Sequence, residues 1–576
     1  MSNRDFRSFV GSIDLLKAFQ NFPISSLFAI VATSAVILLI DNEDNGTLIR
    51  IAGACYLAFL TSLVTEVYRK STSQLWVYVL PLIMCTIWFF YIPYDIDSTI
   101  DHEVSRVGYR FVSTAIILHL IISVIPFWGP SSEEDFWEFN KHLFLRIFES
   151  ALFSVIIFLG LSMAIVALDQ LFELDVDGAW YGRLLFFLGG IFNSLYFLSK
   201  FPEFDFDRKI DPPESAYKVF SEYILIGITS IYLLLLYAYA GKIFSEGELP
   251  RGWIGYLTIF FSLIGILSWL LNYFNPKFSN HRSTRIFVNH FFKFLTVPVA
   301  MLFVAIYTRI DEYGITEHRY IVAALATWLG FLTLTFGWVK KLHIKYIPIT
   351  MAIVIAFSVF AGTMDMFDVS LRNQLSRLKS TLIESSVLEN EQLKFDKLLT
   401  LDNTVKASIK SSISAISNRT DIEIINQWTT NDLFENYNGE ESSKLFYLYD
   451  KLHLSDLPYQ DGNQSTYTIS FSGSQSLNVS GFTTIKEISL NENQDRTEDG
   501  IIIHQNELRY QGYDSKDVDH LVWRFKDEFV KPSPSEMTIR FKNEKDSSNI
   551  IIRSITVEMI NDEIEIKWID GWLLKN

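Results

Sequence analysis

The sequence contains little charge and very little cysteine. Charged residues make up 20% of its 576 residues, whereas a soluble protein normally carries about a quarter. Its two cysteines, Cys55 and Cys85, both lie inside apolar runs, so the sequence offers neither a disulfide framework nor a cysteine-based metal site. These shortages exclude a small disulfide-stabilised protein and argue against a wholly aqueous one.

The motifs of the common enzyme classes are also missing. The sequence has no GxxxxGK[ST] phosphate loop, no HExxH or CxxC metal motif, no GxSxG nucleophile elbow and no GxGxxG after a strand. It therefore predicts no cofactor and names no catalytic residue. Its net charge of −16 argues against a nucleic-acid partner, because phosphates need a basic face.

Long apolar runs occupy most of the first 366 residues. A bilayer-spanning helix needs about 17–25 apolar residues, and by this criterion we predict about eleven transmembrane helices. The mean hydropathy of the whole chain, +0.21, agrees with a large membrane part. The predicted spans are 22–40, 48–64, 75–91, 111–127, 143–171, 184–198, 219–241, 253–271, 287–306, 320–339 and 346–364.

The basic residues predict the orientation of these spans. Of the 26 Lys and Arg residues before Asp368, 18 lie in one set of alternate loops and 8 in the other. Because cytoplasmic loops carry the excess, the N-terminal segment 1–21 is predicted to be cytoplasmic and the first span to be retained. An odd number of spans then places the C-terminal part outside the membrane, whereas a miscount by one would reverse it.

The chain becomes polar and more acidic after the last apolar run. Leu371, Leu375, Leu378 and Leu382 form a helical stripe, and we predict a helical neck over 367–460. From residue 461 to 576 the pattern alternates, with β-branched runs and turn-forming pairs, which predicts a β-rich domain. The fold class is thus a polytopic α-helical membrane protein (22–366) with a C-terminal α+β, β-rich aqueous domain.

Several segments resemble a known family of bacterial multi-span membrane proteins, DUF4153. The resemblance covers nearly the whole membrane part and the start of the tail. It implies a helical membrane fold in the bacterial cytoplasmic (inner) membrane and carries over no catalytic residue. The segments are FPISSLFAIVATSAVILLID at 22–41, FWEFNKHLFLR at 136–146, LPRGWIGY at 249–256, RIDEYGITEHRY at 309–320 and DVSLRNQLSRL at 368–378.

A small number of polar residues lies within or near the ends of the predicted spans, where charge is costly. A functional interpretation is a polar path with His119 as a protonatable group. The alternative, which we favour, is hydrogen bonding and close helix packing, with Asn193 on a small-residue face. The candidate intramembrane polar residues are His119, Asn193, Glu149, Asp169 and Glu222.

A short, densely charged loop precedes the tenth predicted span. It forms either an ionic latch between the membrane part and the tail, or simply a solvated loop with charges at helix ends, which we favour. The candidate cluster consists of Arg309, Asp311, Glu312, Glu317 and Arg319.

Three Asp-x-Asp triplets suggest a divalent metal for a lipid-linked donor, as in membrane glycosyltransferases. Such enzymes have a long first outer loop, whereas here it is short, and an acidic chain contains such triplets by chance. The triplets are Asp95/Asp97, Asp175/Asp177 and Asp205/Asp207.

Three functions therefore stay open. The first is an envelope sensing, assembly or interaction protein, anchored in the lipid bilayer, whose external C-terminal domain binds an envelope protein. The second is a transporter or channel for a small or lipidic solute. The third is a membrane enzyme acting on a lipid-linked substrate.

Overall fold

The protein divides into two compact units, Met1–Ser370 and Leu371–Asn576. The structure, a computed structural model, describes residues 15–42, 45–72, 78–94, 101–129, 131–202, 215–246, 254–278, 281–339, 342–429, 432–435, 437, 444–452 and 454, and the backbone of nine strands between 459 and 575. Of the sequence-based candidates, the N-terminal residues 1–14 and the triplets Asp95/Asp97 and Asp205/Asp207 lie outside these residues.

The described residues of the first unit form helices joined by turns and loops. Short 3₁₀ turns follow the fifth, ninth and thirteenth helices. The helices are α1 (Leu16–Asn21), α2 (Pro23–Leu39), α3 (Gly46–Thr72), α4 (Val79–Tyr91), α5 (Asp101–Val124), α6 (Glu133–Phe172), α7 (Ala179–Ser199), α8 (Ser215–Ser245), α9 (Ile254–Asn272), α10 (Arg282–Phe294), α11 (Thr296–Tyr313), α12 (Glu317–Val339) and α13 (Tyr346–Phe360).

Eight helical segments in the described residues are long and apolar enough to cross a membrane. Three shorter apolar helices, α2, α4 and α13, accompany them. Each of the spans predicted from the sequence overlaps one of these segments, with α10 and α11 forming a single span. The structure thus supports a polytopic helical membrane protein, while the total of about eleven crossings stays a prediction.

Helix α6 is much longer than the predicted span 143–171, because it begins ten residues earlier. Ser132 caps its first turn by accepting from Asp135 N at 3.0 Å, and three acidic residues there favour the positive helix end. Its 40 residues extend about 60 Å, twice the hydrocarbon thickness. The uncharged stretch 150–168 is about 28 Å long, so the charged first part of α6 lies at one membrane boundary.

A buried carboxylate joins α2 to α3. Glu66 of α3, 2% exposed, accepts from Ile24 N at 3.0 Å, Ser25 N at 3.3 Å and Ser25 Oγ at 2.5 Å. These N–H groups belong to the first turn of α2, which begins at Pro23 and has no intrahelical acceptor for them. The negative charge therefore sits at the positive end of α2.

Three helices contain π-helical segments, at Phe187–Phe192 in α7, Val219–Leu225 in α8 and Thr333–Val339 in α12. The first of them brings the α7 backbone close to α2. A Cβ atom added at Gly190 would lie 2.3 Å from Thr33 Oγ1, so only glycine permits this approach. The Thr33 hydroxyl itself donates to Ala29 O at 2.8 Å.

The second unit has its own apolar core. Its helices are α14 (Met366–Glu384, which begins in the first unit), α15 (Phe395–Leu399), α16 (Asn403–Ser417) and α17 (Lys444–Lys451), with a 3₁₀ turn at Ile422–Trp428. The leucine stripe of α14 faces this core, with Leu378 and Leu382 buried. A short antiparallel hairpin, β1 (Leu388–Glu389) and β2 (Gln392–Leu393), interrupts the predicted helical neck.

Antiparallel strands follow the helices of the second unit. The six-stranded sheet has the order β3–β4–β10–β11–β5, with β9 also paired to β10, and the smaller sheet has the order β6–β7–β8. The β-rich character of a complete domain over 461–576 stays a prediction. The strands are β3 (Tyr459–Asp461), β4 (Gln464–Ser470), β5 (Thr484–Asn491), β6 (Ile501–His504), β7 (Glu507–Tyr510), β8 (Lys516–Asp517), β9 (Thr538–Lys542), β10 (Ser547–Ile560) and β11 (Glu563–Lys575).

The close approach of α2 and α7 gives a stability prediction. Gly190→Ala should lower the melting temperature in detergent, because the added methyl overpacks the Thr33 contact, a change that typically costs about 1–3 kcal/mol. Gly189→Ala is the matched control, since its added Cβ meets nothing within 4 Å. Adding Thr33→Ala to Gly190→Ala should recover part of the loss. Equal effects of the two glycine substitutions would contradict the packing described.

Candidate functional site

A pocket of about 290 Å³ lies beside the first turns of α6, and we name it the α6 pocket. It is lined by 17 residues, which come from α5, α6, α9, α12, the start of α13 and Ile344 just before α13. Fourteen of them are apolar or aromatic, and Ser123, Asn140 and Lys141 are polar. The segment 136–146, which carries part of the family resemblance, supplies five of the lining residues.

The polar wall of the α6 pocket is built by Asn140. Its Nδ2 group donates to Ser123 O at 3.0 Å and to Phe136 O at 2.9 Å, which ties α6 to the end of α5. The Ser123 hydroxyl donates to Leu120 O at 2.7 Å. Asn140 Oδ1 accepts no hydrogen bond from the part of the chain that the structure describes, so this acceptor is available to a ligand.

An ion pair lies next to this wall. Lys141 Nζ is 2.7 and 2.8 Å from the two carboxylate oxygens of Glu138, and His142 Nε2 is 2.9 Å from one of them. The ammonium group also lies 4.6 Å from the ring centre of Trp137 and 5.8 Å from that of Tyr217. The lysine charge is therefore balanced by a carboxylate and two aromatic faces.

Two tryptophans form fixed apolar walls. Trp137 Nε1 donates to Leu270 O at 2.6 Å, and Trp328 Nε1 donates to Thr350 Oγ1 at 3.0 Å. Because each indole N–H is held by a neighbouring helix, the ring keeps its orientation. The segment 136–146 is helical, and Trp137 is 3% exposed because it packs inside the helix body.

Glu222, in the π-helical segment of α8, belongs to a second cluster of buried polar side chains. Thr284 Oγ1 donates to Glu222 Oε2 at 3.1 Å, which joins α8 to α10. Asn272 Nδ2 donates to Ser221 O at 3.0 Å, and Asn275 Nδ2 donates to Asn272 Oδ1 at 2.8 Å. Glu222, 6% exposed, thus takes part in helix–helix hydrogen bonding.

The other intramembrane candidates have partners of their own. His119 lies on an exposed side of α5 and donates from Nδ1 to Ala115 O of its own helix at 2.8 Å. Glu149 accepts from Arg146 at 2.5 Å and from Tyr196 OH at 2.8 Å, which joins α6 to α7. In the described residues, neither side chain hydrogen-bonds to another residue of the candidate set.

Asp169 and Asn193 have local environments as well. Asp169 Oδ1 accepts from Val176 N at 3.0 Å and so closes the turn after α6. Asn193 follows the π-helical segment of α7, and its buried Oδ1 accepts no hydrogen bond within the described residues. In the triplet Asp175/Asp177, Asp177 Oδ1 accepts from Ala179 N at 3.0 Å at the start of α7.

The loop candidates Arg309, Asp311, Glu312, Glu317 and Arg319 lie at the junction of α11 and α12. Arg309 is 3.7 Å from Glu312, one turn further along α11. Arg319 Nη1 donates to the loop carbonyls of Tyr313 and Gly314 at 3.1 and 3.0 Å. Asp311 is exposed, and Glu317 lies in the first turn of α12, where negative charge is favoured.

Sequence reasoning missed three of the buried charges. Glu66 and Asp365 were not considered because they lie just outside predicted spans, and Lys141 was counted only toward the orientation. A usable signal was present in α6, since Glu138, Lys141 and His142 have i, i+3 and i, i+4 spacing on one face. In the described residues, no group of three His, Cys, Asp or Glu side chains is arranged to hold a metal ion.

The Glu138–Lys141 pair gives a second stability prediction. Their side chains are 20% and 8% exposed, so Glu138→Ala should strand a largely buried ammonium, which typically costs about 3–5 kcal/mol. Glu134→Ala is the control on the same helix. It breaks a pair with Lys277 whose side chains are 42% and 53% exposed, worth about 0–1 kcal/mol. Unfolding in detergent measures the stability loss of each variant. Equal losses for Glu138→Ala and Glu134→Ala would contradict the burial of the Glu138–Lys141 pair. The double variant Glu138→Ala, Lys141→Met should recover stability, because it removes the unpaired ammonium.

Comparisons with known proteins agree with the helical body. The family model described as a domain of unknown function, DUF4153, matches residues 27–404, from α2 to the first residues of α16. An uncharacterized protein of Pasteurella multocida (strain Pm70) is 22% identical over 312 residues, which cover 50% of this chain and 50% of that protein. The match thus spans about half the length of that relative. No solved structure matches this chain.

The matched segment is more than half of the chain and includes the α6 pocket and all the candidate polar residues. The resemblance stated from the sequence is confirmed: this protein belongs to the DUF4153 family.

Proposed function

We propose that this protein is a membrane platform of the bacterial cytoplasmic membrane that presents its C-terminal domain to an envelope protein. In this proposal a helical body (22–366) of about eleven spans follows a cytoplasmic segment (1–21). A neck (367–460) and a β-rich domain (461–576) lie on the extracytoplasmic side. The platform acts by binding, in sensing or assembly.

The observation that carries this proposal is the anchoring of α14 at its first turn. Asp365, 3% exposed, accepts from Phe367 N at 3.0 Å and Asp368 N at 2.9 Å through Oδ1. Its other oxygen lies 3.8 Å from Arg110 of α5. The helix that leads to the C-terminal unit therefore begins from a fixed point in the helix body.

Aromatic and backbone contacts reinforce this anchor. The ring of Phe367 lies 5.0 Å from the Arg106 guanidinium and 5.8 Å from that of Arg110. Tyr320 OH donates to Met364 O at 2.8 Å, and Ser370 Oγ donates to Ile315 O at 3.4 Å. These contacts fix the chain from Met364 to Ser370 against the helix body, and this fixed beginning of α14 supports a platform.

The environments of the polar candidates favour a platform over a proton-coupled transporter. His119 and Glu149, like Glu222, are engaged by their own helix or by a neighbouring one. Such hydrogen bonds join helices and supply no relay across the bilayer. The enzyme alternative is weakened likewise, because Asp177 of the described triplet accepts a backbone hydrogen bond at the start of α7.

The alternative of a transporter for a lipidic solute draws support from the apolar α6 pocket. In four of the five helices that line the pocket, the lining residues lie near the same predicted face of the membrane. A site restricted to one half of the body suits binding better than passage, so the platform is the function that we favour.

The proposed orientation can be tested with single cysteines. In a Cys55→Ala, Cys85→Ala background, Glu391→Cys and Lys277→Cys place thiols on side chains that are 78% and 53% exposed. A membrane-impermeant maleimide should label Glu391→Cys in spheroplasts and Lys277→Cys only after permeabilisation, because the basic loops are expected to be cytoplasmic. The reverse pattern would place the C-terminal unit in the cytoplasm and overturn the proposal.

The interaction role can be tested by photo-crosslinking in living cells. Ile383, Phe395 and Leu399 are large apolar side chains exposed on the second unit, as expected of a contact surface. A photoreactive amino acid at Leu399 or Ile383 should crosslink to one and the same envelope protein, and Phe395→Asp should weaken both adducts. The lipid-facing position Leu234 serves as control and should give no such adduct. If neither position captures a protein, the interaction role is wrong.

A further inference from the structure

We propose that the α6 pocket binds the hydrocarbon chain of a membrane lipid, with the polar end of that lipid next to Asn140 and Lys141. This inference goes beyond the platform function and does not depend on it. It rests on the composition of the pocket, its depth in the helix body, its opening and its polar end.

The walls match a hydrocarbon chain. Fourteen of the 17 lining residues are apolar or aromatic, and among them are the rings of Trp137 and Trp328, whose N–H groups are turned to neighbouring helices. An ionic or strongly polar solute would find few partners there. The volume of about 290 Å³ is at the lower end of ligand sites and suits a slender chain better than a folded solute.

The pocket runs from helix ends into the bilayer. Ser123 lies one residue before the end of α5, and Leu271 one residue before the end of α9. Leu263, in contrast, is the middle residue of α9, about 12 Å from Leu271 along the helix. This depth is close to half of the hydrocarbon thickness of about 30 Å, which is the length that one lipid chain occupies in its leaflet.

The opening of the pocket faces the surroundings of the helix body. Leu263 lines the pocket and is also 37% exposed on the outer surface of the body. That surface carries the apolar side chains that a membrane protein presents to lipid. Lipid chains are therefore the molecules with direct access to the pocket, and they are present at very high local concentration.

The polar end suits the region where a chain joins its headgroup. Asn140 Oδ1 is an available acceptor there, and Lys141 brings an ammonium whose charge is already balanced by Glu138. The charged first part of α6 lies at the membrane boundary, so these groups are at headgroup depth while the apolar wall is deeper. An amphiphile in the pocket thus has the same orientation as in the bilayer.

Photolabelling of the full-length protein tests this proposal. The protein is reconstituted in nanodiscs that contain phosphatidylethanolamine with a diazirine in one acyl chain, and in a second arm with a diazirine fatty acid. Labelled peptides are identified by mass spectrometry after irradiation. We expect label on 263–271 and 344–351 above the level of the lipid-facing helix α8, which is the internal reference. Label from the phospholipid identifies a bilayer lipid as the ligand, and label from the fatty acid alone identifies a free acid.

Variants distinguish occupancy of the pocket from general contact with lipid. Leu267→Trp fills the pocket and should lower the label on 344–351 by about tenfold, whereas Leu234→Trp adds the same ring on the lipid-facing surface and should change nothing. Met351→Trp is a second filling variant in case the first fails to fold. Label on the pocket segments no higher than on α8 in the unsubstituted protein, or unchanged by a filling variant that folds, would overturn the proposal.

Discussion

Glu138 and Lys141 form an ion pair in the first part of α6. This pair illustrates the constraint on which the helix body depends, namely that a buried charge needs a partner. A charge taken out of water costs several kcal/mol unless an opposite charge or hydrogen-bond donors replace the lost solvation. Within the described residues, the buried charges of the body meet this condition at helix ends. The stretch of α6 between Ser150 and Leu168 carries no charged residue and is therefore the part suited to the hydrocarbon layer.

Two other buried carboxylates are stabilised by a helix N-terminus instead of by a lysine. Glu66 accepts from the first N–H groups of α2, and Asp365 accepts from those of α14. In both cases one carboxylate satisfies donors that have no partner within their own helix and meets the positive end of the helix dipole. The first contact fixes the beginning of the helix body, and the second fixes its exit.

The helices between these two points are joined by small contacts, some polar and some steric. Gly190 against Thr33 brings α7 to α2, and Tyr196 to Glu149 brings α7 to α6. Hydrogen bonds of this kind join helices where the hydrophobic effect offers no driving force between them. The α6 pocket is an exception to the close packing, and two tryptophans of fixed orientation line it. Open apolar space beside lipid is most simply filled by lipid.

The sequence by itself determined the class of the protein. Apolar runs of membrane length predicted where the helices lie, because the bilayer leaves the backbone no alternative to internal hydrogen bonding. Five segments together, among them 136–146 and 309–320, identified the family. The leucine stripe from Leu371 to Leu382 predicted a helix that buries one face, because helical periodicity alone determines which residues share a side.

The tertiary structure decided which polar residues belong together. His119 looked central because it lies in the middle of a run, yet it bonds to its own helix, and only the rotation of α5 decides this. Glu66 reaches Ile24 across 42 positions, and Asp365 reaches Arg110 across 255, so no local pattern could pair them. The α6 pocket depends on five helices meeting at one level. Periodicity describes one helix at a time, whereas rotation and contact between helices are set by packing. For that reason the polytopic helical fold could be derived from the sequence and the site could not.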